Sequence, residues 1–229
     1  MNDTAWFRLV LAGLAIALAA LYRANARDRA ALARTLGLAP VARGRASESV
    51  HPVMGPCFET PLMRGTLDGV PAEVLARTIR RLGRRNPNAR SAFTVLRLRV
   101  PTSAPRLRIE PRGTGTMLAS LGEGEPEIAT GDAGFDADWR VSGPRPAEAL
   151  ALLSPELRAT LTALRASLAP GLPDSALGRF SGDLMVGTFE IGDGRLDYAA
   201  MGTPTPGLAA HLAAAVPCAL ALARRTGAG

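Results

Sequence analysis

Apolar and polar positions alternate with a period of two in several parts of this chain. Thr94, Leu96, Leu98 and Val100 fall on one side of an extended stretch, with Val95, Arg97 and Arg99 on the other. After a Pro-Thr-Ser-Ala-Pro turn, Leu107 and Ile109 oppose Arg106, Arg108 and Glu110. Phe135, Ala137, Trp139 and Val141 alternate with Asp136, Asp138, Arg140 and Ser142, which predicts a half-buried strand ended by Gly143-Pro144. Hairpins are expected at Asp68-Gly69, within 63–76, and around Gly192-Asp193-Gly194, joining 180–191 to 195–201. Pro71 puts the second strand of the first hairpin at a sheet edge, and 71–82 also fits a helix opened by proline.

The period then changes to that of helices. Pro146 suits a first helical position, predicting a helix over 147–153. Ser154 caps a second helix, on which Leu157, Leu161, Leu164 and Leu168 share a face. A third covers 206–225, with Leu208, Leu212, Val216 and Leu220 as its stripe. Pro217, His211, alanine-rich composition and Arg224-Arg225 favour packing in the domain over spanning a membrane.

At the N-terminus periodicity gives way to an apolar run. Residues 4–22 are expected to be a transmembrane anchor. Leu9–Tyr22 carries no charge, and Trp6 and Tyr22 stand roughly 24 Å apart along a helix, as interfacial anchors do. Only Asp3 precedes the run, whereas Arg23, Arg27, Arg29 and Arg34 follow it. The positive-inside rule then puts the N-terminus outside and the rest in the cytoplasm, at the inner membrane. The rival is a signal peptide cleaved after Ala24-Asn25-Ala26. Residues 23–56 read as a juxtamembrane helix and linker, and 57–229 as one cytoplasmic α+β domain. That domain is expected to be mainly antiparallel sheet, of about six to eight strands, flanked by helices.

Composition adds little to this picture. All 27 basic residues are arginine, with an excess of positive charge in 23–112 and of negative charge in 113–229. Two halves that neutralise each other explain this without an external partner. Cys57 and Cys218 read as buried thiols, and neither His51 nor His211 has a neighbour at metal-ligand spacing. Gly113, Gly115, Gly122 and Gly124 match no nucleotide fingerprint, so no cofactor is expected. The run Arg77–Arg90 is basic, but the seven aromatic residues beyond the anchor fall mostly in strands, which argues against nucleic acid. Asp132, Asp136 and Asp138 are the one candidate catalytic group, for a hydrolase or metal-dependent enzyme. A solvated or arginine-paired role is the commoner use of such carboxylates.

The anchor followed by ALARTLGL (31–38), with GTLDGVPAEV (65–74), TVLRLRVP (94–101), TGDAGFDADWRVSG (130–143) and LLSPELRATLTAL (152–164), resembles bacterial proteins with one N-terminal membrane helix and a cytoplasmic α+β domain. The resemblance implies a topology and carries no site residues. The function expected is therefore a membrane-anchored binding or scaffolding module. If 94–100 and 105–110 pair as neighbours, Arg97, Arg99, Arg106 and Arg108 share a face. An internal ladder with Asp136, Asp138 and Glu110 would offset their repulsion, or an anionic partner would, such as lipid headgroups or a membrane-associated protein.

Overall fold

Two Asp-Gly dipeptides set the geometry of the sheet. At Asp68-Gly69 and Asp193-Gly194 both residues take positive φ (47° and 82°, 52° and 75°), the backbone of a two-residue hairpin whose twist matches its strands. The computed structural model describes residues 26–42, 46–51, 55–80, 90–112, 125–168, 187–202 and 206–227. The predicted span at 4–22, with Trp6, Tyr22 and Arg23, lies outside them.

The first described element is helix α1, over 26–36. Strands β1 (Ala39–Pro40), β2 (Ser47–His51), β3 (Gly55–Leu67), β4 (Val70–Arg80), β5 (Arg90–Arg99) and β6 (Leu107–Pro111) follow. Then come helix α2 (Ala133–Asp138), strand β7 (Trp139–Ser142), helices α3 (Pro146–Leu152) and α4 (Pro155–Leu168), strands β8 (Thr188–Gly192) and β9 (Arg195–Met201), and helix α5 (Pro206–Arg225). All nine strands join one antiparallel sheet in the order β1-β3-β4-β5-β9-β8-β6-β7, with β2 also on β3. The α+β class and the mainly antiparallel sheet hold.

Several expectations are corrected. Residues 39–56, read as a linker or irregular edge, supply two regular edge strands, β1 and β2, which lie along the outer edge of β3. Leu32, Ala33 and Leu36 of α1 enter the main core. The stretch 71–80 is strand, and it is internal. Pro71 is tolerated because it pairs with Thr66 on one side, while β5 reaches only as far as Ala72 on the other. Most consequentially, β5 and β6 are not neighbours, because the β9–β8 hairpin lies between them.

Helices and sheet meet on one face. Val74, Leu96, Leu98, Leu196, Tyr198, Phe189, Ile109 and Trp139 pack there with Leu153, Leu157, Leu161 and Leu212. On the opposite face Cys57, Leu75, Ile79, Phe93, Val95 and Ala199 form a smaller buried cluster, so Val95 is buried where the alternation put it outward. A β-bulge between Pro61 and Met63 sets this division. One extra residue inverts the side on which each later residue points. Glu59 therefore shares the opposite face with Arg77, while Met63, also odd-numbered, enters the helix-covered core.

Helix α5 is the one helix among the described residues that is long and apolar enough to cross a membrane, over Leu208–Arg225. Its Leu212, Ala215, Ala219, Leu222 and Ala223 are fully buried inside the domain, which is the role of a core helix.

Candidate functional site

The face opposite the helices carries most of the buried charge. Reading the ladder across the sheet, Arg64 stands opposite Glu73, Glu73 opposite Arg97, Arg97 opposite Asp197, Asp197 opposite Glu190, and Glu190 opposite Arg108. Six strands thus contribute one row of mixed sign. Every facing pair except Asp197–Glu190 is of opposite sign, and three arginines meet three acids, so the row neutralises itself within the molecule.

Its centre is Arg97. Nε and Nη2 donate to the two Asp197 oxygens at 2.7 and 2.8 Å, while Nη1 and Nη2 donate to the two Glu59 oxygens, both at 3.0 Å. Arg77, with no exposed surface, donates from Nε to Glu59 at 2.8 Å and from Nη2 to Asp197. Two guanidinium groups and two carboxylates therefore form a closed square of charge-assisted hydrogen bonds. Burial works against ionisation of Glu59 and Asp197. The hydrogen bonds from Arg97 and the charges of Arg77 and Arg97 outweigh it, and both carboxyls sit below the ordinary range. The same contacts hold both arginines charged against their own desolvation. At the far end of the row Arg108 pairs with Glu110 at 2.8 Å, and Arg140 with the same carboxylate at 3.4 Å.

The four arginines singled out in the sequence thus separate into two classes. Arg97 and Arg108 belong to the neutralised row, with Glu59, Asp197, Glu73, Glu110 and Glu190 as acids. Glu110 was among the acids expected; Asp136 and Asp138 do not take part. Arg99 and Arg106 belong to the next row. Arg99 is exposed and stands directly opposite Arg195 of β9; Arg106 is half-exposed and pairs with Glu125 at 3.5 Å.

The three aspartates are engaged locally, in an arrangement the alternation did not anticipate. Residues 133–138 are helical. Asp132 is the N-cap of α2, accepting from the Phe135 N–H at 3.1 Å, and it pairs with Arg158 at 3.3 Å. Asp136 accepts from the N–H and hydroxyl of Thr130 at 3.1 and 2.8 Å, and Asp138 faces Arg165 at 3.7 Å. Phe135 and Trp139 are buried in either reading, because positions four apart share a side in a strand and in a helix. Ala137 decides between them, and it is exposed. Among the described residues no group of three His, Cys, Asp or Glu stands close enough to hold a metal ion.

His211 is buried against Tyr198, with Nε2 at 2.6 Å from the phenol oxygen. That oxygen also accepts from the Gly187 N–H at 2.9 Å. Burial pushes the His211 pKa down to about 4 and raises that of Tyr198. The pair is buried in the core beside Phe189.

No protein-family model matches the chain, and no curated protein matches it. Among solved structures it is similar to the crystal structure of the mycobacterial trehalose monomycolate transport factor A, TtfA. The identity is 12% and the TM-score 0.53, with 89% of this chain and 94% of that chain covered. At that identity the likeness is one of fold.

Proposed function

We propose that this chain is a membrane-held, non-catalytic accessory module of a transport process, with its α+β domain on the cytoplasmic side. One observation carries the reading: the backbone follows that of a transport factor over nearly the full length of both chains. Fold alone does not transmit activity, so the site chemistry must agree with it. What supports it is that the carboxylates considered for catalysis are engaged in a helix cap, a loop and ion pairs, and that Arg77, Arg97, Glu59 and Asp197 bond to one another. The apolar run at 4–22 with arginines after it supplies the tether.

The test is purification of the full chain from native membranes in mild detergent, beside assays of the same material on ester and phosphoester substrates. The reading expects a polytopic membrane transport protein to co-purify in fixed ratio, with no turnover. A chain that purifies alone and shows hydrolysis abolished by Asp136→Asn would replace it with the hydrolase reading.

A further inference from the structure

In the row beside the neutralised one, Arg106 alone of the three arginines is paired, with Glu125. Arg99 and Arg195 face each other across β5 and β9, where directly opposite side chains start about 5 Å apart, and neither makes an ion pair or hydrogen bond among the described residues. Continuing the row, Gly192 lies opposite Arg195, and the Arg106 side chain passes over it, its Cγ 3.4 Å from where a β-carbon would stand. Three arginines thus line one end of the sheet face with no acid between them in the row. Like charges facing each other oppose folding, and an anion between them removes that cost.

A cleft of about 400 Å³ opens next to Arg99, between the Asp68-Gly69 hairpin and the end of α5. Arg99 and Arg224 stand in its lining with Pro71 and Pro101. The acids nearby are few. Asp68 is held by Arg224 at 3.0 Å, Glu125 by Arg106, and exposed Asp193, at the tip of its hairpin, forms no ion pair among the described residues. Two arginines on facing positions, one of them lining an open cleft of this size, suit a phosphate group, which accepts paired N–H bonds from arginine.

We propose that Arg99 and Arg195, with the cleft that Arg99 lines, bind the phosphate of an anionic lipid headgroup and so orient the domain against the bilayer. The source of the phosphate follows from the tether, so the inference rests on the membrane-held reading above. A domain tied to a membrane meets headgroups at high effective concentration, and each arginine near an anionic leaflet adds to the attraction. This also divides labour along the face: the Arg97 row stabilises the fold, and the Arg99 row meets the surface.

The experiment uses the full chain reconstituted in vesicles of phosphatidylcholine alone, or with a third of phosphatidylglycerol. A fluorophore is placed at exposed Thr102 through Thr102→Cys, the native Cys57 and Cys218 being buried. Quenching by headgroup-labelled lipid reports docking. Docking is expected on the anionic vesicles only, weakening with salt. The docked-to-undocked ratio should fall about five-fold per arginine in Arg99→Gln/Arg195→Gln, and stay unchanged in the charge-matched Arg112→Gln/Arg145→Gln. An unaltered thermal midpoint shows that the first variant folds.

Quenching indifferent to phosphatidylglycerol, or lowered equally by both double variants, overturns the proposal. Displacement by soluble glycerol phosphate, or by polyglutamate in preference to lipid, overturns the lipid as source and reassigns the site to a free phosphate or an acidic protein. Flotation on the neutral vesicles scores the tether separately. A chain that stays with them but ignores lipid charge refutes this site and leaves the membrane-held reading standing.

Discussion

Replacing Asp197 with Asn should be among the most damaging single changes on the charged face. Asp197 is 2% exposed and accepts from Arg97 at 2.7 and 2.8 Å and from Arg77. Asparagine keeps the volume but removes the charge, leaving two desolvated guanidinium groups to share Glu59. Breaking a buried ion pair from one side costs about 3–5 kcal/mol, because the surviving charge stays buried and uncompensated. For a domain of this size about 1 kcal/mol shifts the thermal midpoint by about 2–4 °C, so a loss on the order of 10 °C is expected. By contrast, Glu73→Gln, which loosens the exposed Arg64 contact at 3.1 Å and a longer one to Arg97 at 3.6 Å, should cost only about 1 kcal/mol. The decisive comparison is a double-mutant cycle by thermal unfolding in detergent. Arg77→Met with Asp197→Asn leaves Arg97 and Glu59 balanced, so the double variant should be more stable than Asp197→Asn alone. Strictly additive losses, or a single variant within about 0.5 kcal/mol of the parent, would refute the closed square.

Three further outcomes follow from the same geometry. The depressed pKa of His211 means that the unfolded chain binds a proton before the native one does; the stability is fully present above the unfolded pKa, about 6.5, and is lost as pH falls towards about 4, by roughly 3 kcal/mol in all. His211→Gln should flatten the unfolding free energy across that window and leave the steeper loss below it, where Glu59 and Asp197 protonate. Gly143→Ala would put a β-carbon 2.7 Å from the Arg106 carbonyl oxygen, so denaturant titration should show a loss of about 1–3 kcal/mol. Asp132→Ala removes the α2 cap and should cost about 1 kcal/mol by the same titration; a loss below about 0.3 kcal/mol would refute the capping role.

Local chemistry was legible in the sequence, and long-range order was not. Asp68-Gly69 and Asp193-Gly194 announced their turns because the type I′ geometry demands residues that accept positive φ. Pro146 and Ser154 marked helix starts for equally local reasons: Pro146 opens α3, and the Ser154 hydroxyl accepts from the Leu157 N–H at 3.4 Å. Strand neighbours are set by packing between distant segments, so nothing in 94–110 revealed that the β9–β8 hairpin would lie between β5 and β6. That one insertion brings Asp197 and Glu190 between Arg97 and Arg108. The bulge near Leu62 was equally hidden, and without it Glu59 would not share a face with Arg77. The six-residue α2 is too short to display a helical period. Its one sequence signal was Asp132 standing three residues before Phe135, at capping distance.

The central claim, that the domain is held at the membrane on its cytoplasmic side, is tested most directly by protease access to a tag placed after Gly229 in sealed membranes, beside a separate carbonate extraction. The account predicts that the full chain resists alkaline carbonate, and that the tag is removed in inside-out vesicles but protected in intact spheroplasts. Release into the carbonate supernatant, or cleavage of the tag in spheroplasts, would contradict it.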